Sequence, residues 1–374
     1  VVGIATVESL HAEAAELTGL DDFGQQDYLE GLRVLLASLE EEAGLTQAGV
    51  EQARAELTEI LVGRLLSERG WADHPEYADV PVERPVFITG MPRTATTALH
   101  RLLTVDPAHQ GLPMWLGMAP RPRPPRSEWA DDPYFRQLDG EIGAFVAERP
   151  GYLGVHHTAA AEVDECWLLM RQSLTTFFLE FSYHVPAYAE WLADQDLRPA
   201  YRRHRRNLQL IGSTRADRRW VLKDLGHTLG IDALLDAYPD ALIVQTHRDP
   251  TTAVASLCSL MDKYAAGTST VFRGDVIGRT ALEMTHRGLS AFAEKREKYD
   301  PAHFHDVWFE DFAADPIGVI EGVYDRLGAT LTEQTRERMR ELQRADDERR
   351  AHRYDAADFG LSPELIRDRF GSLR

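Results

Sequence analysis

Cysteine is nearly absent from this chain. Cys166 and Cys258 are the two in 374 residues, too few and too far apart for a disulfide framework or a zinc cluster. Lysine is scarce as well, with four residues (Lys223, Lys263, Lys295 and Lys298), so arginine carries most of the positive charge. Three of these lysines fall in polar stretches that read as helix surface, whereas Lys223 ends an apolar run, which singles it out. No apolar run reaches the roughly 18 residues of a membrane span. A charged n-region followed by an apolar core is also missing at the start, so no secretory signal is expected and a cytoplasmic location is. The formal charge of −19 excludes a sequence-independent nucleic-acid or anionic-membrane binder. It leaves room for a small anionic ligand held by a local cluster of arginines. An apolar content of 44% is ample for a packed core in one large domain or two.

What is present is organised around Pro85 to Leu103, PVFITGMPRTATTALHRLL. Val86-Phe87-Ile88-Thr89 is a β-branched, apolar run that reads as a buried strand. Gly90 and Pro92 break it, and a helix follows with threonine hydroxyls at its start and Ala98, Leu99, Leu102 and Leu103 on its core face. Strand, tight loop and helix N-terminus together make an anion site, because unpaired N–H groups and the positive end of the helix dipole converge there. Arg93 adds a fixed positive charge. A Walker loop needs G-x-x-x-x-G-K-[ST]. Ala95 and Thr96 stand where that pattern wants glycine and lysine, which disfavours an ATP or GTP hydrolase.

Residues 1–80 read as an amphipathic helical cap, with Leu32, Leu35, Leu36 and Leu39, then Leu57, Ile60, Leu61 and Leu65, at helical spacing. Residues 104–135 are loop-rich and contain Pro113, Pro120, Pro122, Pro124 and Pro125. A mainly helical stretch to residue 210 follows, and the whole of 104–210 reads as an insertion facing a substrate. Within it, His156 and His157 precede Glu162, Asp164 and Glu165. The spacing is not that of a metal motif, and the acids also suit a solvated helix start. Tyr201 to Arg206, YRRHRR, reads first as a solvated basic face and second as a substrate-binding patch.

The second half alternates strands and helices. Trp220 to Lys223 and Ala241 to Thr246 are strands, each followed by a turn and an apolar helix, which argues a parallel α/β sheet. Arg248 lies at the carboxyl end of the second strand, where a guanidinium can fork a phosphate, and Ser256 follows two helical turns later.

Pro92-Arg93-Thr94-Ala95-Thr96-Thr97 resembles the 5′-phosphosulfate loop of the PAPS-dependent sulfotransferases, P-[KR]-[ST]-G-T-T, with Ala95 as its one mismatch. Arg248-Asp249-Pro250 with Ser256 resembles the 3′-phosphate motif of that family, R-[DN]-P-x5-S. Lys223 and His227 fall near the spacing of its K-T-H element. Phe309, in Val307 to Phe312, is similar in position to the aromatic that packs on adenine. His352-Arg353-Tyr354 resembles a C-terminal element of the bacterial members. The resemblance implies a P-loop NTPase-like parallel sheet flanked by helices over residues 81–374, and no metal requirement. It implies transfer of a sulfuryl group from PAPS (3′-phosphoadenosine 5′-phosphosulfate) to a hydroxyl of a small-molecule, carbohydrate or lipid acceptor, leaving PAP (adenosine 3′,5′-bisphosphate).

Under that reading Pro92, Arg93, Thr94, Ala95, Thr96 and Thr97 hold the 5′-phosphate and Arg248 with Ser256 the 3′-phosphate. Arg93 and Lys223 stabilise the transferring group. The general base is His227 first, His156 or His157 second, and Glu162 or Glu165 third. Two expectations attach to Ala95: its methyl crowds the phosphate, or the loop keeps φ negative there. A non-catalytic nucleotide-binding protein and an ATP-dependent P-loop phosphotransferase are the competing functions.

Overall fold

The computed structural model describes residues 3–148, 159–346 and 355–371. Five strands, β1 (Val86–Gly90), β2 (His109–Gln110), β3 (Arg219–Lys223), β4 (Leu242–His247) and β5 (Phe304–Trp308), form one sheet. Their order is β2-β3-β1-β4-β5, and every pairing is parallel. A parallel sheet needs both faces covered, and alternate residues of β1 serve opposite faces. Val86 and Ile88 join Val221, Leu242 and Val244 in a core shared with the helix Pro316–Leu327. Phe87 joins Leu222 and Ile243 in a larger core on the other face. The sheet expected from the sequence is therefore present. The two-residue β2 carries no sequence signal, and β5 ends at Trp308, so Phe309 opens a short helix instead of closing a strand.

The N-terminal segment folds as α1 (Val7–Thr18), α2 (Leu29–Glu41) and α3 (Gln47–Asp73). Thr6 caps α1 in a reciprocal arrangement with Ser9, and Thr46 caps α3 by accepting from the Gly49 N–H, satisfying donors that a helix start leaves open. The leucines predicted as its apolar faces are buried, and they belong to the same cluster as Phe87, Leu222 and Ile243. The cap is thus built into the core of the sheet domain.

The YRRHRR stretch departs from its first reading. It lies on the helix Arg198–Gly212, where Tyr201, Arg203 and His204 are buried. Arg203 donates to Gln172 Oε1, Glu68 Oε1 and the Arg64 carbonyl, and the Arg206 guanidinium lies 3.7 Å over the Trp71 ring. These arginines bolt the helix to α3, because partners across the interface satisfy the guanidinium donors that water would otherwise take.

Candidate active site

β1 delivers the chain into the phosphate-type loop through Gly90, whose φ is +127°. A Cβ there would approach the Thr246 carbonyl oxygen to 2.4 Å, so only glycine fits between β1 and β4. Arg93 and Ala95 both take left-handed backbone, with φ of +64° and +67°. The expectation of a negative φ at Ala95 is therefore overturned. The residue holds the conformation that glycine would adopt without strain, and its methyl packs against the Val86 and Ile88 core. Ala95 caps helix α4 (Thr96–Thr104) without a side-chain hydrogen bond, leaving the first-turn N–H groups as donors for an anion. The Thr94 hydroxyl turns inward to the Met91 carbonyl and to Thr246, so the anion-facing hydroxyls of the loop come from Thr96 and Thr97, which line the adjoining cavity.

The two anion motifs meet. Arg248 Nη1 donates to the Arg93 carbonyl at 2.8 Å, and Arg93 Nε donates to Ser256 Oγ at 3.0 Å. The parallel register causes this. β1 and β4 are neighbours paired through Gly90 and Thr246, so the loops leaving their carboxyl ends share one edge of the sheet, the usual ligand crevice of such folds. Asp249 caps the helix Pro250–Ala265, which carries Ser256 back toward Arg93. The Arg248 guanidinium lies 3.7 Å over the Phe309 ring, which ties Phe309 to this cluster.

β3 ends at Lys223 on the other side of β1. Lys223 Nζ donates to Thr97 Oγ1 at 2.9 Å and to Glu165 Oε1 at 2.6 Å. Glu165 is carried there by backbone bonds on either side: the Asp164 N–H donates to the Leu112 carbonyl and the Cys166 N–H to the Lys223 carbonyl, both at 2.8 Å. Asp164 and Asp224 complete a trio of carboxyl groups around one ammonium. Burial, reinforced by the charge of Glu165, pushes Asp164 up to about 6 and Asp224 up to about 8. Asp224 therefore keeps its proton near neutral pH.

His227 does not join this cluster. His227 sits in the turn Leu225–Thr228, which folds beneath the sheet, and its ring meets the Phe87 ring edge-on at 5.0 Å. It is 1% exposed, its Nδ1 is bonded to the Tyr201 hydroxyl, and burial holds its pKa well below the usual histidine range. Its ring faces the core, away from the cavity that Lys223 lines, which corrects the first choice of base. His156 and His157 lie outside the described residues, as do His352, Arg353 and Tyr354. Glu162 pairs with Arg101 at 3.6 Å. Glu165, the last of the sequence candidates, is the carboxylate that meets Lys223. The Asp164-Glu165 pair was the sequence signal for it, and nothing in the sequence ranked it above the histidines.

From this cluster a cavity of about 1090 Å³ opens, at the upper end for small-molecule sites. Pro92, Arg93, Thr96, Thr97, Glu165 and Lys223 form its polar end. Leu138, Ile142 and Phe145 of the helix Pro133–Glu148, together with Trp167, Phe178 and Phe181, wall the remainder. α3 contributes a stripe, Gln52, Glu56, Glu59, Val62 and Leu66, whose spacing of three or four residues places it on one helix face. Fourteen residues of rise make that wall about 21 Å long. The cap read as packing is also a wall of the cavity, a role that its apolar periodicity does not encode.

Known sulfotransferases share this fold. The model of the sulfotransferase family matches residues 85–333. The crystal structure of sulfotransferase STF1 from Mycobacterium tuberculosis H37Rv superposes with a TM-score of 0.92 at 49% identity, covering 99% of each chain. Sulfotransferase STF9 from Mycobacterium avium superposes at 0.90 with 28% identity, covering 100% of this chain and 96% of that one. The curated relative omega-hydroxy-beta-dihydromenaquinone-9 sulfotransferase Stf3 of Mycobacterium bovis is 28% identical over 284 residues, 72% of this chain. The match spans 66% of that relative's own length. This chain belongs to the sulfotransferase family.

Proposed function

We propose that the protein transfers the sulfuryl group of PAPS to a hydroxyl of an apolar, lipid-like acceptor. The observation that carries the donor is the joint between Arg248, Arg93 and Ser256. It brings a 5′-type anion loop and a second phosphate-forking arginine to one edge of the sheet, as a nucleotide phosphorylated at both ends requires. The cavity supports the acceptor class, since Leu138, Ile142, Phe145, Trp167, Phe178 and Phe181 give it broad apolar walls and its polar end coincides with Lys223 and Glu165. The name of the mycobacterial relative, which acts on a hydroxylated menaquinone derivative, points the same way.

In this reading the α4 N-terminus, Thr96 and Thr97 hold the 5′-phosphate, Arg248 and Ser256 the 3′-phosphate, and Phe309 supports the adenine side. The acceptor oxygen attacks sulfur, the bond from sulfur to the bridging oxygen of the 5′-phosphate breaks, and PAP leaves with that oxygen. Negative charge grows on the bridging oxygen, so fixed donors aimed there lower the barrier. Arg93 and Lys223 are those donors. The Lys223 ammonium has three N–H groups, two engaged by Thr97 and Glu165, which leaves one for the transferring group. Glu165 takes the acceptor proton as general base. With PAPS as donor, the proposed compartment is the cytoplasm.

The test is calorimetric titration with PAP and, separately, with ATP, followed by transfer of labelled sulfate from PAPS to a panel of sugars, phenols and long-chain alcohols. PAP binding without ATP binding, together with labelling of the long-chain alcohols, is expected. Binding of ATP in preference to PAP, with magnesium-dependent turnover, would establish a phosphotransferase instead. PAP binding with no transfer to any acceptor would favour a non-catalytic nucleotide-binding role.

A further inference from the structure

Away from Lys223 the α3 wall of the cavity carries polar groups among its apolar ones, and Glu56 is one of them. Glu56, on α3, accepts a 2.7 Å hydrogen bond from the Tyr183 hydroxyl through Oε2. Among the described residues its other oxygen has no hydrogen-bond partner. Next along the same helix face, Glu59 accepts from Arg171, whose side chain is 3% exposed. Thr58, which also lines the cavity, has a buried hydroxyl without a partner. A carboxyl on an apolar wall is costly unless something satisfies it. Here burial pushes Glu56 up to about 7, while Tyr183 and Arg171 pull it down. Val62 or Leu66, from the same stripe, shows what a purely apolar wall would use instead.

The helix Pro250–Ala265 links the neighbourhood of this group to the phosphate loop. Ser256 is bonded to Arg93, and Tyr264 lies close enough to Tyr183 for the two phenols to interact electrostatically. Eight residues of helical rise separate Ser256 from Tyr264, about 12 Å. Leu257 and Leu260, which lie between, line the cavity.

We propose that Glu56, held by Tyr183 and flanked by Glu59 and Arg171, is a second recognition point for the acceptor. It takes a hydrogen-bond donor, a hydroxyl or ammonium group, on a part of the acceptor remote from the hydroxyl that is sulfated. The acceptor is then a bifunctional amphiphile whose two polar groups are joined by an apolar spacer. A simple fatty alcohol would leave the carboxylate unmatched. This inference rests on the sulfuryl-transfer reading given above and adds the acceptor's second group to it.

The probes are a homologous series of straight-chain α,ω-diols and the matching ω-methoxy alcohols, which keep the length and the far oxygen but cannot donate there. Affinity for the PAP-loaded protein is measured by calorimetry, and sulfate transfer from PAPS in parallel, both at a pH where Glu56 is ionised. The diol is expected to bind roughly tenfold or more tighter than its methoxy partner, as a hydrogen bond to a charged group provides. The preference should peak at one chain length of the series and fall away on either side of it. In Glu56→Leu the ratio should fall to near unity, and in Glu56→Gln it should fall part of the way, with PAP titration reporting that each variant is folded. A ratio near unity at every length in the wild type, or one that persists in Glu56→Leu, overturns the inference. If methoxy alcohols and diols are sulfated equally well, the inference fails alone. If no member of either series binds or is sulfated while PAP binds normally, the lipid-like acceptor reading fails and the inference with it.

Discussion

Lys223 Nζ lies 2.6 Å from Glu165 Oε1 across 58 residues of sequence. The pair stands where the cavity meets the phosphate loop, and Thr97 shares the same ammonium. A lysine that ends a central parallel strand is held rigidly by the sheet, and a carboxylate stapled to it by the Cys166 N–H inherits that rigidity. This arrangement fixes an ammonium and a carboxylate side by side before any substrate arrives, which is the condition for electrostatic catalysis.

The first prediction concerns that carboxylate. Glu165→Gln keeps the shape and the contact with Lys223 while removing the base, so kcat should fall by about 10² to 10⁴ with little change in PAP affinity. Steady-state kinetics beside PAP calorimetry checks it. An equal loss in His227→Gln, with Glu165→Gln near wild type, would return the role to the histidine beneath the sheet.

A second prediction separates the two ends of the nucleotide. Arg248→Ala removes a guanidinium placed to fork the 3′-phosphate, at a cost of about 2 kcal/mol or more. PAP affinity should weaken by at least about thirtyfold, and adenosine 5′-phosphosulfate, which has no 3′-phosphate, should be insensitive to the change. Comparable losses for both ligands would place Arg248 in a purely structural role through its bond to the Arg93 carbonyl.

Ala95 offers a stability test. Its left-handed backbone costs an L-residue about 1 kcal/mol or more, and glycine regains part of that while raising the entropy of the unfolded chain. Ala95→Gly should therefore stabilise the protein by up to about 1 kcal/mol, seen as a rise in Tm. A fall in Tm would mean that the packing of the methyl on the Val86 and Ile88 core outweighs the backbone strain.

The pH dependence of stability follows from the buried carboxyl groups. Glu56 is pushed up to about 7 and Asp224 to about 8, while in the unfolded chain both ionise near pH 4. The folded state therefore binds more protons than the unfolded one across that window, and stability falls as pH rises through the folded values. Buried His100, lowered to about 4, and His204, lowered to about 3, act with the opposite sign. Their contribution is complete above about pH 6.5, where the unfolded histidine is also neutral. Between about pH 6.5 and 8 the carboxyl slope should therefore be visible alone, at most about 1.4 kcal/mol per pH unit for each proton. Thermal melts over that range should show Tm declining with pH in the wild type and declining less in Asp224→Asn. A flat wild-type profile would contradict the burial of Asp224 in its protonated form.

The sequence by itself determined the sheet, the loop and the second anion motif. Each is a local pattern: β-branched runs mark Val86 to Thr89 and Ala241 to Thr246, Gly90 and Pro92 mark the turn, and Arg248 at the end of a strand stands at a fixed offset from Ser256 on the helix that follows. Strand and helix periodicities are written in neighbouring residues, so they can be read without knowing the fold. The tertiary structure alone decided which groups meet. Sequence spacing put His227 near Lys223, but a turn beneath the sheet aims its ring at Phe87 and Tyr201. Sequence distance kept Glu165 apart from Lys223, and one backbone bond to Lys223 at the end of β3 with another to Leu112, just past β2, brings them together. It also decided that α3, read as a packing cap, presents Glu56 and Glu59 to the cavity. Those outcomes depend on chain segments far apart in sequence converging at one sheet edge, and no window of residues along the chain contains that information.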